Sequence, residues 1–311
     1  MPDDAQAAGC GDRSASMPAS PLAHRLRAHV EQLAGRIGER NVRRPAALHA
    51  AADYIRTQWQ LQGYEVAGQT YAVGEVRSEN LEVTLRGRGK PGEIILIGAH
   101  YDTVPGSPGA NDNASGIAGL LEISRLLFHS APERTVRFVA FVNEEPPFFF
   151  SDRMGSGVYA RAARRRGDDI VLMASLEMLG CYSDRPGSQS YPPLLRYFYP
   201  DRADFIAFVS NLASRRVLRQ AVNAFRDVSD FPLQTLATFS FVPGVAWSDQ
   251  LSFWREDYPA IMVTDTAFYR YPYYHSREDT PDRLDYASMA RVVEALARTF
   301  ERLASAPAVG R

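Results

Sequence analysis

The chain has 311 residues, of which 45% are hydrophobic and 23% are charged, and its formal net charge is -1 at pH 7. This is the composition of an ordinary globular protein, and the balanced charge argues against nucleic acid or an anionic membrane as a partner. No apolar run is long enough to cross a bilayer. With only two cysteines, Cys10 and Cys181, we expect neither a disulfide framework nor a thiolate zinc site.

The first 20 residues differ in composition from the rest of the chain. They are rich in Ala, Gly, Ser, Pro and Asp, and they lack the basic and apolar regions of a signal peptide. We therefore expect residues 1–20 to be a disordered lead and residues 21–311 to form a single domain. On this sequence the protein is predicted to be cytoplasmic, and export stays open if its natural start lies elsewhere.

Helical and strand patterns alternate along most of the chain. Apolar residues at helical spacing predict helices over residues 21–38, 45–62, 113–128, 155–166, 214–225 and 281–303. Alternating or uniformly apolar runs predict strands over residues 64–73, 80–86, 93–99, 136–142, 170–176, 205–210 and 260–264. This order predicts an α/β fold in one domain, with a mostly parallel central sheet and helices on both faces.

Histidines and carboxylates stand where several of the predicted strands and loops end. These residues are His100, Asp112, Glu144, Glu145, Glu177 and His275. Because the carboxyl ends of parallel strands meet at one edge of a sheet, we expect these side chains to lie together. Imidazole and carboxylate together suit zinc, with cobalt or manganese as substitutes. The other histidines lie in helical stretches and are expected to be surface or packed residues: His24, His29, His49 and His129.

Five motifs in this order resemble one family. They are His100-Tyr101-Asp102, the stretch GANDNASG at 109–116, Asn143-Glu144-Glu145, LEMLG at 176–180 and HSREDTP at 275–281. Together they resemble the M28 family of zinc peptidases, which are co-catalytic aminopeptidases and their relatives. The resemblance covers roughly residues 40–305.

The resemblance implies two zinc ions per chain. Asp112 would bridge them, His100 and Glu177 would complete one site, and Glu145 and His275 would complete the other. Two divalent ions about 3.5–4 Å apart can share one hydroxide and polarise a carbonyl.

The resemblance also implies catalytic roles beside the metal ligands. Glu144 would be the general base, taking a proton from the bridging water and giving it to the leaving amine. Asp102 would orient the imidazole of His100. The family often has a cis peptide after the bridging aspartate, here Asp112-Asn113.

Some positions depart from the family pattern or concern the substrate. Glu177 stands where the best-known members have aspartate, and Gln250 stands where many relatives have histidine. We expect Asp249 and Tyr274 to bind substrate, and a tyrosine of the 269–274 cluster to stabilise the oxyanion. The aromatic run 148–150 is expected either to line a specificity pocket or to pack in the core.

The function predicted from these motifs is a zinc-dependent exopeptidase, an aminopeptidase acting on peptides with a free N-terminus. One alternative is a glutaminyl cyclase-like enzyme that uses one zinc; the presence of both His100 and Asp112 argues against it. Another is a non-catalytic binding module of the same fold, and the complete ligand set argues against it. The sequence leaves the preferred N-terminal residue and the oligomeric state open.

Overall fold

A computed structural model of the protein describes residue 10 and residues 20–193 and 195–305. The expectation of a disordered lead therefore lies almost wholly outside the described residues. No helix in the described ranges is long and apolar enough to span a bilayer.

Helices and strands alternate as the sequence predicts. The helices are α1 (Pro21–Val30, continued by a π-helix at Glu31–Ile37), α2 (Pro45–Leu61), α3 (Gly116–Leu127), α4 (Gly155–Arg166), α5 (Arg215–Arg226), α6 (Gln250–Arg255) and α7 (Tyr286–Ser305). The strands are β1 (Ala67–Val73), β2 (Val76–Leu85), β3 (Lys90–His100), β4 (Arg134–Phe141), β5 (Asp169–Glu177), β6 (Ile206–Asn211), β7 (Leu233–Thr238) and β8 (Ala260–Thr264). A π-helical turn at Ala110–Ser115 leads into α3.

One sheet of eight strands forms the centre, in the order β1-β2-β4-β3-β5-β8-β6-β7. The middle four strands are parallel to one another. The β1–β2 hairpin adds to one edge antiparallel. At the other edge, β6 runs antiparallel to β8 and parallel to β7. The carboxyl ends of β3, β4 and β5 therefore lie side by side.

Helices cover both faces of the sheet, which confirms the predicted fold class. α1, α2, α3, α5 and α7 pack on one face and bury the larger apolar core. α4 and α6 pack on the other face over a smaller cluster that includes Phe141, Tyr159 and Phe253. Since β3 is covered on both sides, its residues from Ile94 to Ala99 are all buried, and this explains the unbroken apolar run in the sequence.

Three elements differ from the sequence prediction. β7 was missed because its six residues are all only half-buried and include polar Gln234 and Thr235. α6 was missed because six residues show too little helical periodicity. The last helix begins at Tyr286 rather than at 281, because Asp285 accepts a hydrogen bond from the backbone N–H of Ser288 and caps the helix there.

A disulfide joins Cys10 to Cys181. The sequence analysis expected no disulfide framework, and this single disulfide is a bond that it did not foresee. Cys181 lies four residues after β5 and is buried against Met178 and Tyr271. Its partner comes from the segment before α1, 171 residues earlier in the chain, which sequence spacing gave no reason to pair with it.

The close packing of β3 against β4 generates a stability prediction. A Cβ at Gly98 would lie 2.3 Å from Cε2 of the fully buried Phe141 ring. We expect Gly98→Ala to lower the free energy of unfolding by about 1–3 kcal/mol, the usual cost of overpacking a core. Gly92→Ala in the same strand is the control, because nothing lies within 4 Å of its added Cβ. Urea denaturation of both variants measures the difference; equal midpoints would contradict the prediction.

Candidate metal centre

The predicted ligands converge at the carboxyl edge of the sheet. His100 is the last residue of β3 and Glu177 the last residue of the neighbouring β5. Glu144 and Glu145 follow β4, on the other side of β3. Asp112 lies in the π-helical turn before α3, and His275 lies in the loop between β8 and α7. Four of the six stand at or directly after the end of a buried strand, and the loops after β3 and β8 bring Asp112 and His275 to the same edge, which is the usual position of ligand sites in α/β sheets.

Asp112 lies between the two imidazoles. Its Oδ1 is 3.4 Å from Nε2 of His100, and its Oδ2 is 3.1 Å from Nε2 of His275. Oε2 of Glu177 lies 3.4 Å from Nε2 of His100, and Oε2 of Glu145 lies 3.4 Å from Nε2 of His275. Each of these two groups of three residues holds its ligand atoms within 4.8 Å of one another.

The donor set fits divalent cations. Asp112, Glu145 and Glu177 are at least 94% buried, and the ion pairs found for them among the described residues are with His100 and His275. Oε1 of Glu145 is buried and has no hydrogen-bond partner in the described part of the chain. Buried carboxylates are costly unless a cation or hydrogen bonds offset their charge, and a metal ion is the cation that imidazole and carboxylate donors suit.

Burial and neighbouring charges shift the pKa values of the site. Burial raises the pKa of Glu145 to about 8, with a further contribution from Asp112, and burial raises the pKa of Glu144 well above its usual range. Burial alone lowers the pKa of His275, but hydrogen bonds with Asp112 and Glu145 outweigh it and raise this pKa to about 10. The same balance raises the pKa of His100, mainly through Glu177. Without a metal, Glu145 and His275 therefore favour their protonated forms at pH 7.

Asp102 holds the loop that carries both glutamates. Its two carboxylate oxygens accept hydrogen bonds from the backbone N–H groups of Glu144 and Glu145, at 3.0 and 3.1 Å. Its Oδ1 also lies 3.6 Å from Nδ1 of His100, beyond ordinary hydrogen-bond length. Asp102 therefore lies beside the end of β3 and also binds the segment after β4. The sequence analysis expected it to contact His100 alone.

The turn around Asp112 is fixed from both sides. The peptide bond Asp112-Asn113 is cis, as the resemblance implied. Asp279 accepts hydrogen bonds from the backbone N–H groups of Asn111 and Asp112, at 2.8 and 3.1 Å. The Asn113 side chain donates to the Leu176 carbonyl and so ties the turn to the end of β5. The position of Asp112 therefore depends on the strand that ends in Glu177.

Ser248 was not singled out from the sequence, yet it contacts a candidate ligand. Its hydroxyl donates a 2.7 Å hydrogen bond to Oε2 of Glu177 and lies 2.9 Å from the hydroxyl of Ser175. It fixes the orientation of the Glu177 carboxylate in the way that outer-shell partners usually orient metal ligands. The available sequence signal was that Ser248 directly precedes Asp249, which the sequence analysis had already identified as a candidate site residue.

The two predicted substrate-binding residues lie in different surroundings. The Tyr274 ring stacks on the His275 imidazole, with centroids 3.8 Å apart, and lines a cavity beside the centre. Asp249 is completely buried, and burial raises its pKa to about 7. This burial argues against direct contact between Asp249 and a substrate. In the tyrosine cluster, the Tyr271 hydroxyl donates to Asp279 and the Tyr269 hydroxyl donates to the Pro243 carbonyl.

Arg40 is a further residue that the sequence analysis did not identify. It is completely buried, and its guanidinium donates hydrogen bonds to backbone carbonyls, including those of Tyr101, Pro108 and Gly109, at 2.6, 2.6 and 2.9 Å. Burial lowers its pKa to about 10, so it stays charged at neutral pH. One side chain thus holds both the end of β3 and the start of the Asp112 turn, and places a positive charge near the carboxylates.

A sheet edge with two histidines and several buried carboxylates is the arrangement of a metal-dependent hydrolase. The family described as "Peptidase family M28" matches residues 80–300 of the chain. The Escherichia coli protein YfbL is 43% identical over 256 residues, which cover 79% of this chain and 78% of that protein. The chain belongs to peptidase family M28 and is accordingly a metallopeptidase.

Other proteins are similar to the chain in sequence or in fold. A "probable zinc metalloprotease" of Pyrenophora teres f. teres is 26% identical over 72% of this chain, which spans only 48% of that protein. The zinc aminopeptidase BSAP of Bacillus subtilis shares the fold, with a TM-score of 0.72 at 15% identity, over 93% of this chain and 96% of that one. The glutaminyl cyclase of Fimbriiglobus ruber shares it too, with a TM-score of 0.70 at 19% identity, over 92% and 97%.

Metal binding is expected to release protons. Since the pKa of Glu145 is about 8 and that of His275 about 10 without a metal, both hold protons at pH 7 that a bound ion must displace. We expect zinc uptake at pH 7 to release on the order of one proton per ion, and the apparent affinity to fall as the pH falls from 8 to 6. Titration calorimetry in two buffers of different ionisation enthalpy measures the release; identical heats in both would contradict it.

Proposed function

We propose that this protein is a zinc-dependent aminopeptidase with two metal positions that share Asp112. The observation that carries the proposal is that the two carboxylate oxygens of Asp112 face different histidines, His100 and His275. The names of the Bacillus subtilis and Pyrenophora teres relatives support zinc and the aminopeptidase activity.

The ligands divide into two sets around Asp112. His100 and Glu177 would hold one ion, and Glu145 and His275 would hold the other. Bound zinc supplies Lewis acidity that polarises the substrate carbonyl and makes water a stronger nucleophile at neutral pH. The protein supplies a buried site in which Asp102 and Ser248 fix the ligands by hydrogen bonds.

Glu144 is the proposed general base. Its carboxylate lies beside the centre, with Oε2 4.0 Å from Nε2 of His100. Ligand atoms of Glu144, His100 and Glu145 also lie within 4.8 Å of one another, but this group lacks Asp112, and the proposal therefore assigns Glu144 to neither ion. Burial raises its pKa, which favours proton transfer near neutral pH. Glu144 would take a proton from the attacking water and deliver it to the amine nitrogen as the C–N bond breaks.

The charge of the site and its tyrosines bear on how a substrate would bind. The excess of buried carboxylates favours a positively charged group, such as the free α-amine of a peptide. Tyr274 lies against His275, while the hydroxyls of Tyr269 and Tyr271 bind backbone or carboxylate acceptors. Of these three, Tyr274 is therefore the proposed stabiliser of the developing oxyanion.

The activity is tested on two forms of one peptide. We expect the zinc-loaded protein to cleave a peptide with a free N-terminus, and to leave the N-acetylated form intact, because the site selects a free amine. A zinc chelator should abolish cleavage. Equal cleavage of both forms would contradict the exopeptidase assignment. Ammonia release from an N-terminal glutaminyl peptide, without cleavage, would instead support a cyclase.

The role of Glu144 is tested by Glu144→Gln, which removes the base and keeps the size of the side chain. We expect kcat to fall about 10²–10⁴-fold with the zinc content unchanged, because Glu144 is not a proposed ligand. Exposed Glu65 provides the matched control, and Glu65→Gln should behave as the unaltered protein. Loss of one zinc ion in Glu144→Gln, measured by elemental analysis, would make Glu144 a ligand instead.

A further inference from the structure

Irregular segments cover one face of β6. Phe208 of this strand points to α5 and contacts Phe225, so its neighbours Ala207 and Val209 point to the other face of the sheet. The segments after β5 and after β7 supply hydrophobic residues that pack on that other face: Tyr191, Val242 and Val245. The outward side chains of these segments form the surface of the molecule on this side.

These segments, together with the loop before His275, expose a group of aromatic side chains. The group contains six of the ten large hydrophobic residues that are exposed in the described part of the chain, with exposed fractions from 36% to 80%. We call this group the aromatic patch, and its members are Tyr197, Phe198, Phe239, Phe241, Trp247 and Phe268. So many exposed rings near one another need an explanation, because water solvates them poorly.

The aromatic patch surrounds one cavity. Trp247 and Phe268 belong to the lining of this cavity, and their ring centroids lie 5.3 Å apart. The other members of the patch are adjacent or close in sequence to Leu195, Tyr199 and Val242, which line the same cavity. All the segments that carry the patch therefore meet on one side of the molecule.

The aromatic patch carries almost no charge. Residues 231–248, which supply three of its side chains, contain no charged residue. Arg196 is charged, and its guanidinium lies over the ring of Tyr197, 4.9 Å from the centroid. A twofold axis pairs a surface with itself, so an uncharged surface can face its own copy without repulsion between like charges.

The exposed area of the aromatic patch is close to half of a dimer interface. The exposed fractions of its six side chains together equal between three and four whole aromatic residues, which is about 700 Å² at about 200 Å² each. An interface of standard size buries about 800 Å² on each partner. The largest apolar patch of a typical monomer covers only about 300–600 Å².

We propose that the aromatic patch is the contact surface between two copies of this chain, related by a twofold axis. Aromatic residues are enriched at protein interfaces, where Lys, Glu and Asp are depleted, and the composition of the patch agrees with this. The inference depends neither on bound metal ions nor on the proposed activity.

The second copy would lie beside the metal centre. Glu177 and Tyr274 line the cavity that the aromatic patch surrounds, whereas neither Glu144 nor the aromatic run 148–150 does. A second copy seated on the patch would therefore narrow the approach to the metal centre from the side of Glu177 and Tyr274.

Sedimentation velocity over a range of protein concentrations tests the surface. We expect the unaltered protein to be a dimer at micromolar concentration. Phe241→Ser removes a ring that is 79% exposed and should raise the Kd of the dimer about 30-fold, the effect of losing one central contact. Phe198→Ser combined with Phe241→Ser should leave monomers. Leu61→Ser is the matched control, because Leu61 is 76% exposed on α2, outside the patch, and the Kd should not change.

Tryptophan fluorescence reports on the same surface. Trp59 is completely buried and Trp254 is half-buried, so Trp247 is the tryptophan most open to a quencher in solution. We expect acrylamide to quench the fluorescence less as the protein concentration rises and the dimer forms. The quenching of Phe241→Ser at the same concentrations should stay constant.

The remaining outcomes would overturn the inference. Monomers at every concentration would do so, and so would a dimer whose Kd is the same in the unaltered protein and in both Phe variants. If the protein were monomeric and bound phosphatidylcholine vesicles, and Phe241→Ser abolished this binding, the patch would face lipid instead. Both phenylalanines are largely exposed, so equal urea midpoints are expected for the variants and the unaltered monomer.

Discussion

Repulsion among buried carboxylates is the constraint on which the rest of this structure depends. Six of them crowd the end of three neighbouring strands: Asp102, Asp112, Glu144, Glu145, Glu177 and Asp249. Two histidines and the charge of Arg40 oppose them. Burial first, and then the neighbouring carboxylates, raises the pKa of Glu144, Glu145, Glu177 and Asp249. Such a cluster is stable only with protons or cations in it. In the proposed function, bound metal ions are these cations.

The hydrogen bonds around the cluster make it one unit. Asp102 at the end of β3 holds the segment after β4, and Asn113 holds the end of β5. Asp279, from the loop that also carries His275, holds the backbone of Asp112. Each connection joins segments far apart in the sequence and fixes the candidate ligands relative to one another. The proposed pair of metal positions needs such a fixed spacing.

Much of the fold and of the ligand set could be predicted from sequence, for a physical reason. Strands covered on both faces produce short apolar runs, and a charged residue directly after such a run, as with His100 and Glu177, must lie at the sheet edge. Contacts between side chains that lie far apart in the sequence produce no such pattern. The Cys10–Cys181 disulfide and the Ser248 contact are of this kind. The polar, half-buried β7 lacked the apolar pattern itself.

The hydrogen bonds of Arg40 show that the catalytic domain includes residues before the span that matches the family. All candidate ligands lie within residues 80–300, the span that matches the family. Arg40 lies 40 residues before that span, yet its buried guanidinium fastens the carbonyls beside both His100 and the Asp112 turn. A protein trimmed to residues 80–300 would keep every ligand and lose the side chain that holds two of them in place. The N-terminal helices are therefore part of the catalytic domain and not an appendage to it.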